Sequence, residues 1–316
     1  MGYRNSVKVF FSNFNIVWKL ALYFLVIMVV CGVLLFAFLN PVFKMIREAG
    51  FFAELLDLYS DFLSNLNLAV AMERLSVVLE NAFDFFVSNI GNIWWNVLGV
   101  VFVLFFLSSV LYELSNMAIC KSLHFYIGSL TRQGYFASFS DAFGKNLKVS
   151  LCKYFVSLPI NALYVYLFVL SLKLFGIHWL LNIIAVFIIV IGIVLLLAFK
   201  WSLFVLWTPT MVVMNYGVWK SFRVALKNVF KRFGKVYSNA VGMVLTVIII
   251  NMSFGLFTFM AGLIISVPIS FLLYNSLGMV FAYEVQGMRY YVDIYNVVTP
   301  NKKEISDKLK DMKFIV

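Results

Sequence analysis

The chain has 316 residues, of which 63% are hydrophobic and 12% charged, with a formal net charge of +11. Soluble domains carry about a quarter of their residues as charges, so with a mean hydropathy of +0.97 this is an integral membrane protein and not an ordinary soluble one. Barrel strands would alternate in polarity over about ten residues, whereas the apolar runs here are unbroken and about twice that long. The fold class is therefore all-α: a polytopic transmembrane bundle of six spans forming a single domain over 1–316, with interfacial amphipathic helices and an extracytoplasmic helical hairpin. Cys31, Cys120 and Cys152 share no CxxC spacing, and His124 and His178 are the two histidines. That pattern suggests neither a disulfide framework nor a metal site, and no cofactor is expected.

Arg4, Lys8 and Lys19 precede an uncharged run over 20–39. The run is longer than a signal-peptide core and no A-x-A cleavage pattern follows it, so it reads as a retained first span. Asn40 and Pro41 are expected to end it. Residues 40–92 form an insert in which Phe51, Phe52, Leu55, Leu56, Tyr59, Phe62, Leu63 and Leu66 recur at helical spacing opposite Glu54, Asp57 and Asp61. A second amphipathic run covers 71–90. The insert reads as a helical hairpin on the outer surface, either a cap that faces a partner or substrate or a folded loop packed on the outer ends of the spans; the second reading is the plainer.

The second span is expected at 93–112, with Trp94 and Trp95 as outer anchors. The segment 113–153 returns the chain to the inside. The third span is placed at 154–171, kinked at Pro159, and the fourth at 179–206 after a short outer turn containing Lys173, Gly176 and His178. At 1.5 Å per residue the fourth run is about 40 Å long, so it must tilt or end early. Lys200 lies in its inner third beside Trp201, where it reads either as a buried counter-ion or as a lysine snorkelling to the headgroups, the latter being preferred.

From Thr208 to Tyr237 the chain is basic and amphipathic. Val218, Trp219, Phe222, Ala225, Leu226, Val229, Phe230 and Phe233 fall on one helical face. Lys220, Arg223, Lys227, Lys231, Arg232 and Lys235 supply positive charge, and the stretch contains no acidic residue. Such a helix is expected in the membrane interface with its cations on anionic headgroups. Lys235 and Glu284 then enclose 48 uncharged residues, enough for spans at 239–258 and 262–282. The tail 284–316 is polar and cytoplasmic, and its last part pairs Glu304 with Lys308 in a short solvated helix.

Of the 25 arginines and lysines, 21 fall in the segments this scheme places inside. Because that bias sets orientation, it supports six spans with both termini in the cytoplasm. The expected partners are anionic inner-leaflet lipids and a membrane protein, with no nucleic acid.

A weak repeat aligns Gly217, Ser221, Phe222 and Ala225 with Gly134, Ser138, Phe139 and Ala142, and a fainter copy begins at Gly2, Tyr3 and Ser6. Each copy precedes a pair of spans. Asn96, Ser157, Asn161, Asn182, Asn251, Ser266, Ser270 and Asn275 are the polar residues within spans; they either line a solute path or hydrogen-bond between helices, and the second is commoner. His124 has no acidic or serine partner at helical spacing and reads as a solvated or interfacial residue. No nucleophile-and-base pair, HExxH or phosphate loop is present, so no catalytic residue is assigned.

Phe139, Phe143, Asn146 and Lys148, spaced F-x-x-x-F-x-x-N-x-K, resemble a stretch of the YesL-like family of bacterial integral membrane proteins. Pro209 followed by Gly217, Ser221 and Asn228 is similar to the proline and basic helix of that family. The resemblance implies a cytoplasmic-membrane protein of unassigned activity, in some relatives linked to sugar uptake. The function expected is a non-catalytic accessory or scaffold; a transporter of a neutral or lipid-like solute is the alternative, and a lipid-modifying enzyme a weaker one.

Overall fold

The computed structural model describes residues 2–66, 68–173 and 179–299, and within them omits the side chains of 68, 69, 71, 72, 79, 86, 168–173 and 179–189. The helices are α1 (Gly2–Ser12), α2 (Asn15–Glu48), α3 (Phe51–Asn65), α4 (Leu68–Ser88), α5 (Ile90–Val101), α6 (Ser108–Ser129), α7 (Tyr135–Lys173), α8 (Trp179–Phe204), α9 (Trp207–Met214), α10 (Val218–Lys231), α11 (Phe233–Phe257) and α12 (Leu263–Gln286). A π-helical turn, Phe102–Leu107, joins α5 to α6. The only described strands are β1 (Tyr290–Tyr291) and β2 (Val297–Val298), paired antiparallel.

Among the described residues, five stretches are long and apolar enough to cross a membrane: Asn15–Glu48, Ile90–Ser129, Val190–Met214, Phe233–Phe257 and Leu263–Gln286. Their outward faces are apolar as well. On α2, Leu22, Met28, Val29, Val33 and Phe36 are exposed, and on α11 so are Ile249, Met252 and Leu256. Rows of this kind are costly in water and cost nothing in hydrocarbon. The expected span at 154–171 falls inside α7, and its last four side chains lie outside the described residues, as do the first residues of the expected span at 179–206. The turn around His178 and the tail helix with Glu304 and Lys308 lie outside them too.

The chain divides into two compact units, Val26–Ser109 and Met1–Leu25 with Val110–Val316. In the first, α2 does not stop at Asn40 and Pro41 but runs on to Glu48. A proline inside a helix removes one donor, and a buried or lipid-facing backbone tolerates this better than leaving a whole helix end unsatisfied. Gly50, at φ 83, turns the chain. The helices α3 and α4 then pack on each other: Phe51 meets Phe85 at 5.4 Å, and Arg74 pairs with Asp61 at 2.5 Å.

In the second unit α12 is the central element. It packs on α1, α9 and α11, and from Leu272 to Tyr283 all but Tyr274 is buried. Its approach to α9 is set by a proline and a glycine. Pro209 has no N–H for the carbonyl of Val205, and Gly278 lies so close that a Cβ would stand 2.5 Å from that oxygen. Gly287, at φ 67, ends α12 in the left-handed conformation that glycine adopts without cost.

The three repeat copies differ in how they join the next helix. Turns at Asn13 and Phe14 and at Arg232 separate α1 from α2 and α10 from α11, whereas α7 is unbroken over 39 residues. Asn13 donates to the Val9 carbonyl at 2.9 Å, a local bond that competes with the helix. Asn146 instead donates across to the Leu114 carbonyl of α6. Ser6, Ser138 and Ser221 are all fully buried.

Candidate functional site

The basic helix α10 is fixed from below by Trp207, which is fully buried, donates from Nε1 to the Val218 carbonyl at 3.1 Å and packs on Phe222 at 4.2 Å. The side of α10 that enters the protein is narrower than the eight-residue apolar face read from the sequence. Its buried residues are Ser221, Ala225 and Val229, one per turn and small enough for close approach to α9. Trp219 and Phe230 are exposed instead.

The six predicted lipid-facing cations are not equivalent. Lys220 lies 4.2 Å over the Tyr216 ring. Arg232 sits at the break between α10 and α11, with φ −128. Lys235 is held by Glu284 at 2.8 Å and belongs to a chain of contacts in which Tyr290 donates to Glu284 at 3.1 Å and accepts from Asn5 at 2.8 Å. Burial pushes the Tyr290 phenol above its ordinary value. Lys235 therefore ties α11 to α12, leaving Lys220, Arg223, Lys227, Lys231 and Arg232 as the face the sequence describes.

The polar residues singled out in the spans are taken up in bonds, whereas the buried hydroxyls of Thr208 and Ser276 have no partner among the described residues. Asn96 donates to the Phe38 carbonyl at 3.1 Å and Ser157 to Tyr154 at 2.9 Å. Asn251 donates to Ser270 at 2.9 Å and accepts from Ser266 at 2.7 Å. Asn275 donates to Asn116 at 2.8 Å and accepts from the Cys120 thiol at 3.4 Å. The side chain of Asn182 lies outside the described residues.

Lys200 has a specific partner that the sequence did not indicate. Its ammonium donates to Asn161 at 2.5 Å and lies 5.9 Å from the Tyr164 ring, because α7 packs against α8 at that level. The sequence reading also missed a charge pair. Glu113 and Lys153, both placed at the edges of the 113–153 segment, meet at 3.0 Å, with Lys153 almost wholly buried and Asn116 donating to the same carboxylate. No local signal joins them, since they lie on different helices.

His124 has a partner on another helix, the Tyr283 hydroxyl, 2.7 Å from Nδ1. Helical spacing gave no hint of it, as Tyr283 belongs to α12. His124 also lines a cavity of about 290 Å³ between α6, the start of α7 and the end of α9. Met117, Ala142 and Met211 form its buried apolar floor. Around the rim stand Lys121, Asp141, Lys145, Asn215 and Tyr216. Lys121 is bonded to Asp141, and its ammonium holds that carboxyl below the usual carboxylate range. Among the described residues no three His, Cys, Asp or Glu side chains gather as a metal ion would require.

No family model matches the chain, and no curated protein or solved structure matches it either. The YesL-like resemblance thus rests on its sequence motifs alone.

Proposed function

We propose that the protein is a non-catalytic accessory or scaffold of the bacterial cytoplasmic membrane, with six spans, both termini in the cytosol, α3 and α4 outside, and α10 lying against anionic inner-leaflet lipid. One observation supports this reading over transport. Within the apolar helices, Asn116, Asn251, Ser266, Ser270 and Asn275 bond among themselves, Asn96 bonds to the Phe38 carbonyl and Asn161 to Lys200, while the buried hydroxyls of Thr208 and Ser276 alone among the described residues of these stretches have no partner. Such bonds contribute about 0.6 kcal/mol each to helix association in a membrane, and a residue so engaged is not free to hydrate a passing solute. The sixth span, at 154–171, follows from the 21 to 4 division of arginine and lysine, which an odd number of crossings would break.

The test is cross-linking in native membranes followed by copurification and identification of what is bound. A membrane protein recovered in fixed proportion is the expected result. Recovery of bulk phospholipid alone, together with solute flux in liposomes that carry the purified chain, would transfer the assignment to transport.

A further inference from the structure

The cavity between α6, α7 and α9 combines an apolar floor with a rim that has more cation than anion. Asp141 is matched by Lys121. Lys145 adds a second ammonium to the rim, and Lys220, drawn to the Tyr216 ring at 4.2 Å, adds a third beside it. Among the described residues neither has a carboxylate within 4.0 Å. Three separate segments converge here, and Asn215, the left-handed cap of α9 at φ 48, is among the lining residues. His124 completes the donor set. The Tyr283 hydroxyl stands 2.7 Å from Nδ1; in the tautomer in which that hydroxyl donates, the ring proton sits on Nε2 and the neutral imidazole offers an N–H.

From this donor set we infer that the cavity is a binding site for a phosphate group, carried either by an anionic phospholipid headgroup or by a small soluble phosphate ester. Ammonium, amide and imidazole N–H groups are what a phosphate's oxygens accept from. The volume of about 290 Å³ is at the low end of small-ligand sites, which suits a headgroup and excludes a whole lipid. The apolar floor favours the carbon side of an ester over bare inorganic phosphate. Of the α10 cations, Lys220 alone stands beside this site through Tyr216; Arg223, Lys227, Lys231 and Arg232 form a separate, diffuse surface.

The experiment uses the full chain in phosphatidylcholine nanodiscs, with two probes: phosphatidylglycerol followed by native mass spectrometry, and glycerol phosphate followed by calorimetry. Whichever probe binds at one per chain identifies the source of the phosphate. Lys145→Gln, at an exposed position, should weaken that binding about tenfold, the effect of one charge-assisted hydrogen bond. Lys148→Gln, the same change outside the cavity, should leave it unaltered. Asp141→Asn frees the Lys121 ammonium and should tighten binding severalfold, a gain that misfolding cannot imitate. Absence of binding by both probes overturns the inference, and so does equal weakening by Lys145→Gln and Lys148→Gln or a loss on Asp141→Asn.

Discussion

Gly278 is where a single atom decides the packing of the centre. Any Cβ there meets the Val205 carbonyl at 2.5 Å and the Pro209 ring at 3.0 Å, and neither can move without moving its backbone. Gly278→Ala should therefore lower stability by about 1–3 kcal/mol, read as a fall in the unfolding midpoint of the purified protein in detergent; an unchanged midpoint would mean that the helices stand further apart. The Glu113 and Lys153 pair makes a second prediction. Lys153→Met leaves the carboxylate without its counter-charge and should cost about 3 kcal/mol, whereas the double change to Glu113→Gln and Lys153→Met should recover most of that loss. A double mutant no more stable than Lys153→Met would contradict the pairing. Pro209 stands out in the sequence as a break in an apolar run, yet Gly278, the residue that answers it, does not, since spacing along one chain does not say which helices touch. The same blindness hid Tyr283 from His124 and Asn161 from Lys200.

At the level of elements, long apolar runs were readable because the length of a span is fixed by the thickness of hydrocarbon. Where helices end was less so. The helix α2 passes through Pro41, and α7 carries a polar segment into an apolar one without a break, both outcomes of packing rather than of local preference. The apolar face read on α10 included Trp219 and Phe230, which are exposed, and the inward side is the small-residue row Ser221, Ala225 and Val229. Replacing Lys227, Lys231 and Arg232 with Glu should weaken association with anionic lipid by about 1 kcal/mol per residue, seen as lost membrane insertion or expression; full retention of both would make the basic face incidental. The β1–β2 turn has a pH dependence of known sign. Asp293 is held below the usual carboxylate range first by the Asn296 amide, then by the backbone N–H groups of Tyr295 and Asn296 and by Lys8. A depressed pKa gives stability that is present above the unfolded value of about 4 and is lost as pH falls through the folded one. Hydrogen exchange over 290–298 should therefore be flat from pH 5 to 8, after correction for intrinsic rates, and should lose protection only in more acidic solution, a response that Asp293→Asn abolishes.

For the molecule as a whole, the helices alone do not carry orientation; the distribution of charge does. Lys and Arg gather on 1–19, 113–153, 200–235 and 284–316, and the acidic residues Glu54, Asp57 and Asp61 on α3 lie on the opposite side in the proposed arrangement. The exposed apolar rows of α2 and α11 require a lipid environment whichever way the chain is inserted, so they leave sidedness to be measured. The direct measurement is labelling of single introduced cysteines by a membrane-impermeant maleimide. On intact cells, with the outer membrane permeabilised where there is one, Asp57→Cys should be labelled and Lys227→Cys should react only after the inner membrane is opened. Labelling of Lys227→Cys from outside, or protection of Asp57→Cys, would contradict the account.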